Sequence, residues 1–206
     1  MTTTPNTPTG ADLTAWDRDH HLHPWEALED WQNEEYMRVS GARGIHVWDD
    51  TGKRYMDGPG GMWCVQIGYG RKEMADAIAR QVMDMPYASP WSFTSGPAAE
   101  LAGRLAAMAP GDLNTVHFTT GGSTAVDTAI RTALFMHDIA GNPDKTIVIS
   151  REKAYHGSTY LASTVTGKER FKTKFQRADD LVRFLPDVNP YRRPDGQTEI
   201  RSGSDT

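Results

Sequence analysis

The segment Thr119-Thr120-Gly121-Gly122-Ser123-Thr124, set between an apolar triplet and a long amphipathic run, constrains the fold of this chain more than any other. Before it, Val116-His117-Phe118 reads as a buried strand; after it, Ala125, Val126, Ala129, Ile130, Ala133 and Leu134 recur at helical spacing. Strand, glycine turn and helix in that order place a helix N-terminus at the end of a strand. There the first backbone N–H groups lack intrahelical partners, the helix dipole adds roughly half a positive charge, and glycines let an anion approach the backbone. Ser123 contributes a hydroxyl. The same residues could equally cap a helix and do nothing more, and this segment alone leaves the two readings level. No Gly-x-x-x-x-Gly-Lys-Ser/Thr occurs in the chain, and Gly-x-Gly-x-x-Gly spacing is absent at this turn, so a nucleotide is not the first expectation.

The rest of the chain extends the α/β pattern. Gly44 to Asp57 carries two short apolar stretches around Asp50-Thr51-Gly52, a β-hairpin signal. Gly58-Pro59-Gly60-Gly61 then breaks regular structure ahead of Met62-Trp63-Cys64. Met74, Ile78, Val82 and Met85 predict an amphipathic helix over 72–84 that stops before Pro86, with its methionines in the core. Pro97, Leu101, Leu105 and Met108 predict a second helix ending at Pro110-Gly111. The glycine-turn helix is expected to end near His137, followed by a strand over 145–150 buried on both faces and another over 181–185. Residues 1–14 hold almost no apolar surface and are expected to be disordered, whereas Trp16, Leu22, Trp25, Leu28 and Trp31 supply anchors to the next segment.

Composition excludes several functions. The formal charge of −5 comes from interspersed acids and bases, so no basic face argues for nucleic acid. No apolar run approaches the roughly 20 residues of a membrane span, and the start lacks a signal-peptide pattern. With a single cysteine, Cys64, no internal disulfide forms; a cytoplasmic location is the expectation.

After the strand over 145–150 comes Ala154-Tyr155-His156-Gly157-Ser158-Thr159, a strand-end loop of the kind in which open α/β sheets place ligands. Tyr155 can lie flat over a heteroaromatic ring and His156 can tune it; the plainer alternative makes Tyr155 a core residue and His156 a loop histidine with one backbone bond. Taken together, Gly121-Gly122-Ser123 and residues 154–159 resemble the paired loops of class III aminotransferases dependent on pyridoxal phosphate. His23-Pro24, Asp50 to Asp57, Gly61-Met62-Trp63-Cys64, Pro97 to Ala102 and Asn189-Pro190-Tyr191-Arg192 extend the resemblance in family order. Tryptophan after the glycine pair is most similar to the omega-amino acid and amine:pyruvate branch.

The resemblance implies an α/β fold of type I, here an incomplete large-domain sheet plus an N-terminal small-domain segment. Its divisions are 1–14 disordered, 15–70 with the hairpin, 71–188 the first part of the large domain, and 189–206 a polar, truncated tail. It implies that Gly122 and Ser123 bind the cofactor phosphate, that Tyr155 stacks on the pyridine ring with His156 close behind, and that Trp63 and Trp91 line the substrate pocket. For Trp91, a place in the core is an equal alternative. The implied partners are a small-molecule amine donor and an oxo-acid acceptor such as pyruvate, in a homodimer, with no nucleic acid and no membrane. The family commonly carries Ser-Glu-Ala-Asn-Asp where this chain has Ser123-Thr124-Ala125-Val126-Asp127, so an acid and an amide are replaced.

Neither the lysine that bonds the cofactor aldehyde nor the aspartate that pairs with the pyridinium nitrogen is matched in these 206 residues, so no residue is assigned to catalysis and none to a metal. Lys153 precedes Tyr155 by only two residues but is no substitute. The chain alone is therefore expected to be inactive. Alternatives are a related aminomutase or decarboxylase, or a non-catalytic fragment.

Overall fold

A computed structural model describes residues 8–25, 29, 33, 36–171 and 176–187. The chain divides into two compact units, residues 1–93 and 94–206. The helix over 72–84 falls in the first unit.

In the first unit, α1 (Gly10–His20) begins where disorder was expected. Its cause is a capping box: the Asp12 N–H donates to the Thr9 hydroxyl at 3.2 Å, and the Thr9 N–H donates back to the Asp12 carboxylate at 2.8 Å. Residues 1–7 lie outside the described residues. Trp16, Leu22 and Trp25 are exposed, while Leu28 and Trp31 are not among the described residues.

Strands β1 (Val39–Arg43), β2 (His46–Asp49) and β3 (Arg54–Met56) form an antiparallel sheet in that order. The expected hairpin is β2–β3, with Val47 opposite Tyr55. Gly52 takes the positive φ of 84° that its turn requires. The centre of the turn is Asp49, which the sequence reading passed over. Its buried carboxylate accepts the Thr51 N–H and hydroxyl at 2.9 and 2.7 Å, the Lys53 N–H at 2.9 Å and the Tyr55 hydroxyl at 2.9 Å. These bonds, the Thr51 hydroxyl foremost, pull its pKa down to about 2 against the opposing effect of burial. A carboxyl whose folded pKa lies below its unfolded one stabilises the fold above the unfolded value, near 4, and that contribution is lost as pH falls toward 2. Melting temperatures measured between pH 5 and 2 should therefore fall less steeply in Asp49→Asn, which starts from a lower value; an unchanged slope would show that Asp49 does not carry this linkage.

The first unit continues with α2 (Gly60–Trp63), a single turn of left-handed backbone, and α3 (Lys72–Asp84), whose bounds match the sequence period. The second unit holds α4 (Gly96–Met108), α5 (Gly122–Ile139), β4 (Val148–Arg151), α6 (Tyr160–Thr164) and β5 (Val182–Leu185). Strands β4 and β5 pair in parallel, Val148 opposite Val182 through Arg151 opposite Leu185. Parallel neighbours need a crossover, and α6 and two short 3-10 helices supply it. Ile130, Val165 and Val182 are the buried centre; Val126 and Leu134, one turn to either side of Ile130 on α5, pack against it with Val148, Leu161 and Phe184. Ala125, Ala129 and Ala133 of the expected apolar face are exposed, because the buried stripe follows strict i, i+4 spacing.

Three expectations fail. Residues 116–118 form no strand: a strand needs a ladder partner for its N–H and C=O groups, and none among the described residues bonds to them. Strand β4 begins at Val148 rather than Lys145, because the Lys145 and Thr146 N–H groups close a turn onto Asn142 and Asp144. It is covered on one face only, with Val148 and Ser150 inward and Ile149 67% exposed. The apolar stripes of α3 and α4 are likewise open, Met74, Ile78, Val82, Leu101 and Leu105 all being exposed.

Candidate functional site

The N-terminus of α5 and the loop after β4 meet. Gly121 caps the helix in an extended conformation, φ 172° and ψ 174°, that any residue could adopt, so its value lies in space rather than in backbone freedom. A Cβ built on Gly121 or Gly122 meets nothing within 4 Å. The backbone is open there to an approaching group. The N–H groups of Gly122, Ser123 and Thr124 take no acceptor among the described residues, as expected of a first helical turn. The Thr124 hydroxyl donates to the Gly121 carbonyl at 2.8 Å and closes the turn.

Ser123 is not the cap. Its Oγ accepts the Ser158 N–H at 3.0 Å, and its carbonyl accepts the Thr159 hydroxyl at 3.2 Å. An oxygen engaged as acceptor keeps its own proton free to donate, which suits it to an anion at the helix end. Gly157 makes this approach possible. Its φ of 134° is closed to side chains in practice, and a Cβ there would lie 2.7 Å from the Ser123 Cβ, 2.8 Å from its Cα and closer still to Oγ. Asp127, one turn along α5, accepts the Thr159 hydroxyl and the Ala162 N–H, both at 2.7 Å, and so fixes the start of α6. Gly157, Ser158, Asp127 and Thr159 are the members that sequence reasoning missed. The glycine inside the loop motif was their one visible signal.

Among the expected residues, Gly122 and Ser123 stand at this junction, and Tyr155 and His156 lie on the loop whose later residues contact it. Tyr155 is 43% exposed, and the Lys168 Nζ lies 6.0 Å from its ring centroid. His156 is exposed and donates its backbone N–H to the Thr166 hydroxyl at 3.0 Å. Lys153 holds a positive φ of 64°, uncommon for a lysine, and its Nζ pairs with Asp187 at 2.9 Å. A groove of about 470 Å³ runs down the flank of α5 from Thr124 and Asp127 past Arg131 to Phe135.

Trp63 and Trp91 belong to the first unit. Trp63 ends a left-handed turn in which Gly60, Gly61, Met62 and Trp63 all have φ between 53° and 68°. Left-handed backbone costs a non-glycine residue roughly 1–2 kcal/mol, and it persists where its surroundings enforce it. Here Asp57 does so, accepting the Gly61 N–H at 2.8 Å and the Tyr69 hydroxyl at 2.6 Å; the same bond raises the Tyr69 pKa. Trp63 is 70% exposed and Trp91 94% exposed.

Among the described residues, no helix is long and apolar enough to cross a membrane. Residues 28–204 match the sequence profile of the class III aminotransferases. The chain is 46% identical over 151 residues to "Probable aminotransferase Rv3329" of Mycobacterium tuberculosis, a match covering 73% of this chain and 32% of that protein. It is 36% identical over 163 residues to the putrescine–pyruvate aminotransferase of Pseudomonas aeruginosa, covering 77% and 36%. Its structure superposes on a thermostable (S)-enantioselective omega-transaminase of Thermomicrobium roseum with a TM-score of 0.86 and 36% identity, over 92% of this chain and 43% of that one. The chain thus spans about a third to two fifths of the length of these relatives. The chain carries part of the α/β fold of type I, and it belongs to the class III aminotransferases.

Proposed function

We propose that the start of α5 in this chain holds the phosphate of pyridoxal phosphate, and that the protein built on it moves an amino group from an amine or omega-amino acid to an oxo acid such as pyruvate. The observation that carries this reading is that three N–H groups at the start of α5 have no acceptor among the described residues, on backbone left open at Gly121 and Gly122 and next to the Ser123 hydroxyl. Such a donor set fits a phosphate dianion. When bound, pyridoxal phosphate supplies an aldehyde that takes up the amino group and a ring that withdraws electrons from it.

In this reading Gly122, Ser123 and Thr124 fix the phosphate through their N–H groups, and the Ser123 hydroxyl donates one further bond. Gly157, Ser158 and Thr159 brace Ser123 from behind. Tyr155 covers one ring face, His156 stands close behind it, and Trp63 and Trp91 wall an apolar substrate pocket. The names of two relatives, one acting on putrescine and pyruvate and one an omega-transaminase, support this branch. The same reading carries a homodimer and a cytoplasmic location.

Among the described residues, Lys153, the lysine nearest in sequence to Tyr155, has its Nζ engaged by Asp187 at 2.9 Å. The 206 residues alone are inactive in this account. Incubation with pyridoxal phosphate, borohydride reduction and mass spectrometry should give no stoichiometric adduct on a single lysine. Such an adduct together with pyruvate-dependent turnover would contradict it.

A further inference from the structure

We propose that Asp17, His21 and His23 form a binding site for a divalent transition-metal ion of the zinc type, in the first unit and independent of the cofactor site. The carboxylate and two imidazole donor atoms all lie within 4.8 Å of one another. The Asp17 Oδ1 is 2.9 Å from the His21 Nδ1, and its Oδ2 is 3.0 Å from the His23 Nε2. Donors placed about 2.0–2.2 Å from a tetrahedral zinc ion stand roughly 3.3–3.5 Å apart, so these contacts need to open by only about 0.4 Å.

Three features prepare the site. Asp17 and His21 are four residues apart, which places both side chains on one face of the last turn of α1, and the His21 N–H caps that turn on the Asp17 carbonyl at 3.0 Å. The His23 ring is half-buried and stacks on Tyr36 with centroids 3.9 Å apart and planes 14° apart, so its donor nitrogen is held toward the carboxylate. The C-terminal end of a helix carries a partial negative charge, which favours a cation there. Two imidazoles with one carboxylate suit zinc, nickel or copper; calcium and magnesium need more oxygen ligands than the cluster offers. His21 and Asp17 remain solvent-accessible, which leaves room for water to complete the coordination.

Isothermal titration of zinc chloride into the untagged 206-residue chain tests the site. One equivalent should bind, and His21→Ala or Asp17→Asn should weaken it by about tenfold or more, since even losing a residue that only supports a ligand costs 10–100-fold. His20→Ala and Cys64→Ser should stay within about twofold of the parent on the same scale. X-ray absorption at the zinc edge, on the unsubstituted chain, should show two imidazole nitrogens and carboxylate oxygen, and this readout does not depend on whether a variant folds. Absence of saturable binding, ligand variants that bind like the parent, or a zinc shell containing sulfur would overturn the proposal.

Discussion

Gly157→Ala is expected to part the loop over 154–159 from the start of α5 and to cost about 2–6 kcal/mol, the sum of a forbidden backbone angle and an overpacked contact. The added methyl cannot be absorbed by a flexible tip. It would meet the Cα, Cβ and Oγ of Ser123 together, and Ser123 is tied to α5 by its own backbone. Relief requires moving the loop, which breaks the Ser158 N–H to Ser123 bond and, with it, the orientation of the hydroxyl. Urea denaturation followed by circular dichroism measures the cost. A variant within about 0.5 kcal/mol of the parent, the range of an ordinary surface substitution, would mean that the two segments do not pack as described.

Asp127→Ala is the second large effect, with an expected loss of about 2–4 kcal/mol. One carboxylate oxygen serves two donors at 2.7 Å, and a hydrogen bond to a charged group contributes about 1.5–3 kcal/mol. The Ala162 N–H belongs to a fully buried residue, so without the carboxylate it has no water to turn to. Asp127→Asn keeps an acceptor oxygen and should lose less than half as much. Thr159→Val removes only one of the two donors, and a double-mutant cycle between Thr159→Val and Asp127→Ala should therefore show coupling. Additive losses, measured in the same denaturation experiment, would show that the carboxylate and hydroxyl act separately.

What could be read from the residues follows how local each cause is. The bounds of α3 came directly from periodic apolar residues and the proline beyond them, and the β2–β3 hairpin from its turn residues. The start of α5 was visible for the same reason, because Gly121, Gly122 and Ser123 are consecutive. Features that depend on residues far apart were not visible. Asp127 looks like any helical acid until α6, more than 30 residues later, brings Thr159 and Ala162 to it. Gly157 looks like a loop glycine until Ser123 occupies the space its side chain would need. Residues 116–118 have the composition of a strand, but pairing is a property of two segments and no described segment pairs with them. Thr9 and Asp12 are a different case. Their spacing is a local cap signal, and the polar composition around them hid it.

The central claim, that the start of α5 holds a phosphate, is tested most directly by equilibrium dialysis of the chain against pyridoxamine phosphate and, separately, pyridoxamine. Both lack the aldehyde that would attach to surface lysines, and they differ only in the phosphate. The account predicts that the phosphorylated compound binds at least about tenfold more tightly, as charge-assisted bonds from a helix N-terminus and a serine hydroxyl require; equal affinity for the two compounds would contradict it.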